Sequence, residues 1–276
     1  MKRREFLTTS LAASAAATLG AGKLAAADAS SAPAGREYYE LRAYRLKPGA
    51  TSTALDDYLA KGVIPALNQR GIASVGVFTE LDIDKNAATS KPKADTPVWV
   101  LIPHASLESF VKVGTTLNTD AAVQAAGAEY LKAPKASPAF DRIDVWLYLA
   151  FAGMPKMAVP AFSKSRVPTR VFELRDYESH SELKALNKIA MFHAGEIDIM
   201  KDLGMSPVFY GQSLAGPNLP HLRYITCGPD LATHLANWKK FGTHPIWAKL
   251  KDDPQYKDNT SKNTARFLAP TVYSQI

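Results

Sequence analysis

The chain has 276 residues, 46% hydrophobic and 21% charged, an ordinary globular composition with material for one large or two small domains. Its formal charge of +7 is partly terminal: Lys2, Arg3, Arg4 and Lys23 against Glu5 leave a net +3 there and about +4 for the rest. No run of Lys and Arg with interleaved aromatics occurs in that remainder, which excludes a nucleic-acid footprint, and the single cysteine, Cys227, excludes an intrachain disulfide framework.

The first thirty residues read as an address. Met1-Lys2-Arg3-Arg4-Glu5-Phe6-Leu7 is followed by a weakly apolar, Ala- and Ser-rich run to Gly22, then Lys23 and small residues to Ala29. That order is an export signal, and paired arginines followed by x-Phe-Leu resemble a twin-arginine signal. Lys2 and Thr8 depart from its commonest form. Cleavage is expected after Ala27 or Ala29, giving a periplasmic or secreted protein that meets the twin-arginine translocase during export; retention of residues 1–29 as an anchor is the other reading. With no cysteine at the cleavage site, a lipoprotein anchor is excluded. No later segment has the ~18 uninterrupted apolar residues of a membrane span.

The remainder is written twice. Glu40-Leu41-Arg42-Ala43-Tyr44 and Glu173-Leu174-Arg175-Asp176-Tyr177 are offset by 133 residues, and the offset persists from Ile64 and Ile197 through Gly71 and Gly204 to Val75 and Val208. A repeat this long is a domain duplication. Each copy opens with an alternating strand, 38–46 or 170–177, and a helix, 52–69 or 181–203, stopped by Gly71 or Gly204. A second strand follows, 73–81 or 207–214, then a third, 98–103 or 222–227; the connection 82–97 reads as an exposed loop. A second helix is capped by Ser106 or Asp230, with further helix at 120–132 and 245–251, and a last strand closes each copy, 143–150 or 265–273. Residues 37–152 and 170–276 are thus two βαββαβ ferredoxin-like units joined by a Pro-rich linker, 153–169. Such a unit leaves one sheet face bare, and two in one chain cover each other as an intrachain dimeric α/β-barrel, an α+β fold.

Tyr38-Tyr39-Glu40-Leu41-Arg42-Ala43-Tyr44 with Leu46-Lys47-Pro48-Gly49, and Phe172-Glu173-Leu174-Arg175-Asp176-Tyr177, resemble the opening of a NIPSNAP domain. Gly204–Gly211, Leu222–Thr226 and Pro245-Ile246-Trp247 resemble its later parts; the first copy lacks the last of these. The resemblance covers residues 37–276 as two copies. It implies a barrel related to antibiotic-biosynthesis-type monooxygenases, chlorite dismutases and dye-decolourising peroxidases, and brings no assigned catalytic residues with it.

Alternation along the opening strands separates Tyr39 and Leu41 from Glu40, Arg42 and Tyr44, and likewise Phe172 and Leu174 from Glu173, Arg175 and Tyr177. If the apolar faces meet the helices, Glu40, Arg42, Glu173 and Arg175 point into the barrel and form a cross-copy ion-pair cluster near the pseudo-two-fold axis. His193 falls on the apolar stripe of its helix, His234 and Trp238 share a face, and His244 precedes Trp247. With Tyr210 and Tyr224 these residues are the candidates for a helix–sheet pocket in the second copy. Each histidine also reads as an ordinary core or boundary residue, and Cys227 as an inert, half-buried thiol. Metal-ligand spacings, dinucleotide and nucleotide loops and the serine-hydrolase elbow are all missing from the sequence, so no metal or cofactor is evident.

Three functions fit. One is a pocket for a small apolar or aromatic ligand, as a binder or a cofactor-independent, monooxygenase-like enzyme. A haem oxidoreductase, with His193 or His234 on iron, is what the resemblance to chlorite dismutases implies. A non-enzymatic interaction scaffold is the third, and assembly into oligomers is compatible with each.

Overall fold

The computed structural model describes residues 35–276; the export signal and its cleavage sites lie outside the described residues. Strand β1 (Tyr38–Arg45) is followed by helix α1 (53–69), strands β2 (Gly76–Asp84), β3 (Thr89–Pro92) and β4 (Val98–His104), helices α2 (Leu107–Thr116), α3 (Ala121–Ala126) and α4 (Ala128–Leu131), and strand β5 (Arg142–Ala150). A short helix α5 (Ala161–Lys164) leads to β6 (Val171–Glu178), α6 (182–202), β7 (Phe209–Ala215), β8 (His221–Gly228), α7 (Leu231–Gly242), α8 (Pro245–Asp252) and β9 (Lys262–Pro270).

Helix starts follow local chemistry. The side chains of Ser106, Ser181 and Asp230 accept hydrogen bonds from the amides of Ser109, Lys184 and Thr233, which would otherwise lack partners in the first turn. Both α1 and α6 contain a π-helical turn, Tyr58–Val63 and Phe192–Glu196, at matching places in the two halves. The stretch expected as a loop over 82–97 is partly a hairpin. Asp84 pairs with Thr89 and its carboxylate accepts the amides of Asn86 and Ala87, so a short turn closes what composition alone marks as irregular. Strand β9 starts earlier than its apolar pattern suggests, because Lys262 already pairs with Glu178 of β6.

The sheet runs β3-β2-β4-β1-β5-β7-β8-β6-β9, and β2 also pairs with β9. Eight strands therefore close into an antiparallel barrel, with β3 as an appendage of β2. Within it, β2-β4-β1-β5 and β7-β8-β6-β9 have the same order, joined by the β5–β7 and β9–β2 pairs. Closure leaves no open barrel edge, which is what lets two half-covered sheets share one interior.

Both faces of β1 and β6 are covered, and the assignment of those faces is the reverse of the one expected. Tyr39, Leu41, Ala43, Phe172 and Leu174 line the barrel interior with Phe78, Trp146, Tyr148, Phe209 and Ile225, residues of both halves in one cluster. Tyr39 meets Phe209 at 4.9 Å and Phe78 meets Phe172 at 5.0 Å between ring centroids, both across the halves. Glu40, Arg42 and Tyr44, like Glu173, Arg175 and Tyr177, lie beneath the helices. Arg42 pairs with Glu40 at 2.6 Å and Arg175 with Glu173 at 2.9 Å, each inside its own half. The expected cross-copy cluster of these four residues does not form. An i, i+2 pair on one strand face needs no partner from across the barrel.

A different network joins the halves. Asp176 accepts from Arg223 and, at 2.9 Å, from Arg266; Arg266 also lies 3.7 Å from Glu80, which accepts the Trp99 indole N–H at 3.0 Å. The Arg223 guanidinium sits 4.3 Å over the Trp146 ring. At the end where β1 begins, the linker is a packed cover. Met157, Val159 and Phe162 rest on the interior cluster, and the Met157 amide donates to Glu37 at 2.7 Å. Cys227 is fully rather than half buried, and its thiol donates to the Ser206 carbonyl at 3.0 Å; burial pushes its pKa up, which removes its nucleophilic form.

Candidate functional site

The outer face of β6 and the helices above it enclose a cavity of about 920 Å³ in the second half. Arg175 and Tyr177 form its floor. Helix α6 contributes Lys188, Met191 and Glu196, α7 contributes Trp238 and Phe241, and α8 contributes Trp247.

The Arg175 guanidinium lies over Trp238, 4.3 Å from the ring centroid, and 5.6 Å from the centroid of Tyr177. Its Nη1 donates to Glu173, while its Nε is buried without a partner. Glu173 is almost fully buried and receives three donors: Arg175, His234 at 2.8 Å, and the Trp238 indole N–H. Burial alone would push this carboxyl up. The hydrogen bond from His234 and the Arg175 charge more than offset that and hold it below the usual carboxylate range. Glu173 thus fixes Trp238 and Arg175 in their stacked arrangement.

Lys188 and Glu196 form a second buried pair, 2.5 Å apart. They are eight residues apart, which in a regular α-helix is about 80° off a common face. The π turn at Phe192–Glu196 absorbs one extra residue and returns Glu196 to within about 20° of Lys188. Rings of Tyr177, Phe192 and Trp247 surround the ammonium at 5.3, 5.1 and 5.6 Å. Burial holds the Glu196 carboxyl above its ordinary range, with Lys188 opposing.

The residues singled out from sequence separate into three groups. Trp238 and Trp247 line the cavity. Tyr210, Tyr224 and His234 lie beneath or behind it, fully buried: Tyr210 donates to the Met200 sulfur at 3.1 Å, Tyr224 shares a 2.9 Å hydrogen bond with the Tyr177 hydroxyl, and His234 is held by Glu173. His193 and His244 do not line it. His193 is exposed, turned outward against Phe151 at 5.4 Å, because the π turn rotates it off the apolar stripe. His244 caps α8, accepting from the Ile246 amide at 3.3 Å.

His104 was not singled out from sequence. Its Nε2 lies 3.1 Å from Glu40, so the buried glutamate of each half holds an imidazole. The two come from different elements. His104 ends β4, where Gly228 stands in the second half, and His234 lies on α7, where Phe110 stands in the first. A side chain at Gly228 would press on His234, its Cβ only 3.0 Å from that of the histidine. The complementary exchange, His for Gly and Phe for His, is the signal that marks the pair.

Residues 172–275 match the NIPSNAP family model. This NIPSNAP segment contains every cavity-lining residue named above. No curated protein matches the chain in sequence. Among solved structures, a protein of Lactobacillus acidophilus NCFM described as a candidate monooxygenase is similar at a TM-score of 0.53 and 7% identity, over 85% of this chain and 94% of that one. A candidate monooxygenase of Fusobacterium nucleatum is similar at 0.50 and 8%, over 85% and 92%. A NIPSNAP-like domain protein of Burkholderia xenovorans matches 39% of this chain and 90% of its own at 17% identity and a TM-score of 0.35. The first two show the fold, a dimeric α/β-barrel, and at such identities nothing more.

Haem in this NIPSNAP segment would need an axial ligand facing the cavity. His193 points away from it, and the Nε2 of His234 is already committed to Glu173 behind Trp238. Neither of these histidines fits iron ligation there. Among the described residues no group of three or more His, Cys, Asp and Glu could hold a metal ion, and no helix is long and apolar enough to cross a membrane.

Proposed function

We propose that the chain is a twin-arginine exported protein whose NIPSNAP segment binds a small aromatic molecule bearing an anionic group. One observation carries the ligand class: Arg175 lines a ring-walled cavity with a buried, partnerless Nε and only its Nη1 committed to Glu173. A guanidinium so placed offers donors to a carboxylate, and Tyr177, Trp238, Phe241 and Trp247 offer faces to an aromatic body. The test compares cinnamate with neutral cinnamamide by thermal shift and tryptophan quenching. Arg175→Leu is expected to lower cinnamate affinity roughly 10- to 100-fold, the scale of a charged hydrogen bond, and to leave cinnamamide nearly unchanged. Equal losses for both would remove the anionic part of the reading.

A second reading, a cofactor-independent oxygenase at the same cavity, is favoured by Glu196. A buried carboxylate of raised proton affinity at the cavity wall suits removal of a proton from a bound carbon acid. Oxygen uptake with electron-rich polyphenols, abolished by Glu196→Gln, is its test.

Export rests on Arg3-Arg4 and the weak apolar run after them. In a bacterial host, mature protein beginning at Asp28 or Ser30 is expected in the periplasm, and Arg3→Lys with Arg4→Lys should leave it uncleaved in the cytoplasm; N-terminal sequencing of both fractions decides. The shared strand order and the 133-residue offset support reading residues 37–152 as a diverged copy of 170–276.

A further inference from the structure

The first half has a cavity of its own, about 690 Å³, between the outer face of β1 and β5 and helices α1, α2 and α4. It shares no lining residue with the cavity described above. We propose that it is a second ligand site, built for a small uncharged aromatic molecule carrying one hydrogen-bond acceptor.

Two observations support it independently. The first is why the space is open. Counting from the helix caps Ser106 and Asp230, Gly114 of α2 stands where Trp238 stands on α7. A Cβ built on Gly114 meets nothing within 4 Å, and the glycine lines the cavity. The place filled by an indole in one half is left vacant in the other, and a volume in this range suits a small ligand.

The second is the hydroxyl of Tyr130. Tyr130 lines the cavity, and its hydroxyl is buried without a hydrogen-bond partner. Its ring is held rigidly, stacked on Tyr58 at 4.5 Å. Burial keeps the phenol protonated, so it presents a donor. A buried donor with no acceptor is costly, and an acceptor on a bound molecule would satisfy it.

Most of the other polar groups are engaged within the first half, and the Arg42 charge is already paired with Glu40. Arg42 Nε donates to Glu40 at 2.6 Å and its Nη1 to the Tyr44 hydroxyl at 3.3 Å; the other Glu40 oxygen is held by His104. The Tyr58 hydroxyl donates to Asn118 at 2.6 Å. Where Lys188 and Glu196 stand in the second half, the first half has buried Leu55 and Val63. What the cavity offers a ligand is mainly ring surface from Phe110, Phe140 and Tyr130, with the Tyr130 O–H as its buried partnerless donor, which fits an aryl ketone or ester.

The experiment is titration calorimetry of acetophenone, with toluene as the acceptor-free control, into the exported protein. Wild type is expected to bind acetophenone, and Gly114→Trp to lose that binding or to lower the stoichiometry from two to one, with thermal unfolding unchanged or raised. Tyr130→Phe is expected to weaken acetophenone about three- to tenfold and to leave toluene unchanged; this variant serves if Gly114→Trp fails to fold. No acetophenone binding by wild type, binding by a folded Gly114→Trp with wild-type affinity and stoichiometry, or equal weakening of acetophenone and toluene by Tyr130→Phe would each overturn the proposal.

Discussion

Asp176→Ala is expected to destabilise the barrel by about 3–5 kcal/mol, the range seen when one member of a buried ion pair is removed. Asp176 is 4% exposed and receives Arg223 on one oxygen and Arg266 on the other. Without it, the Arg223 guanidinium, itself 3% exposed and with Nη1 already partnerless, keeps only its contacts over Trp146, Trp99 and Tyr148. Cation–π contacts are worth about 0.5–2 kcal/mol and cannot replace a buried counter-charge. Asp176→Asn keeps an acceptor and should fall between the two. Arg266→Met should cost less than either, since that side chain is 30% exposed and can be solvated. Denaturant unfolding of the three variants measures the order. A loss under about 1 kcal/mol for Asp176→Ala would mean that Arg223 is hydrated at the barrel end.

The same network explains why the two halves differ. By strand register, Asp176, Arg223 and Arg266 correspond to Ala43, Trp99 and Trp146. The second half places charges where the first places a methyl and two indoles, and the arginines stack on those indoles. A barrel of two identical second halves would bring like guanidinium groups together at this end. Two first halves would leave indoles with no cation above them. The contacts that hold the barrel end therefore require one half of each kind, and residues 35–276 act as a single folding unit rather than two exchangeable ones.

The strand order and the barrel could be read from the repeated Glu-Leu-Arg strand and its offset, and the caps of the second helices from Ser106 and Asp230. The facing of that strand could not. Alternation separates two faces, but in β1 and β6 both faces are buried, one in the barrel and one under helices, and hydrophobicity does not tell these layers apart. Giving Tyr39 and Leu41 to the helices puts the charged face inside. Asp176 and Arg223 lie on different strands with no sequence spacing to link them, and only the β6–β8 register brings them opposite one another. Trp238 and Trp247 were legible because an aromatic residue on a helix above a sheet has few other places to go. Lys188 and Glu196 were not, since eight residues is no helical neighbour distance until a π turn is known.

That pair gives the second large effect. Glu196→Val is expected to destabilise by about 3–5 kcal/mol by leaving the Lys188 ammonium buried without its partner. The double variant Lys188→Leu with Glu196→Val installs what the first half carries in Leu55 and Val63, both buried in a continuous apolar cluster. Well-packed apolar replacements of buried pairs are often neutral or stabilising, so the double variant should recover most of the loss. The pH dependence separates this carboxylate from the others. Burial raises the folded-state pKa of Glu196 above its unfolded value, so the folded state binds the proton more tightly, and its stabilising contribution, full below about pH 4, is lost as pH rises through the folded value. Glu40 and Glu173 are depressed, so theirs is full above the ordinary glutamate value and lost as pH falls through the folded one. Lys188→Leu removes the ammonium that opposes burial and should steepen the decline of stability as pH rises above the ordinary glutamate range, while the double variant should abolish it. Denaturant midpoints across that rise in pH decide. A flat profile for Lys188→Leu would mean that water reaches Glu196 and solvates its charge, and the cavity wall would then be wet where α6 now closes it.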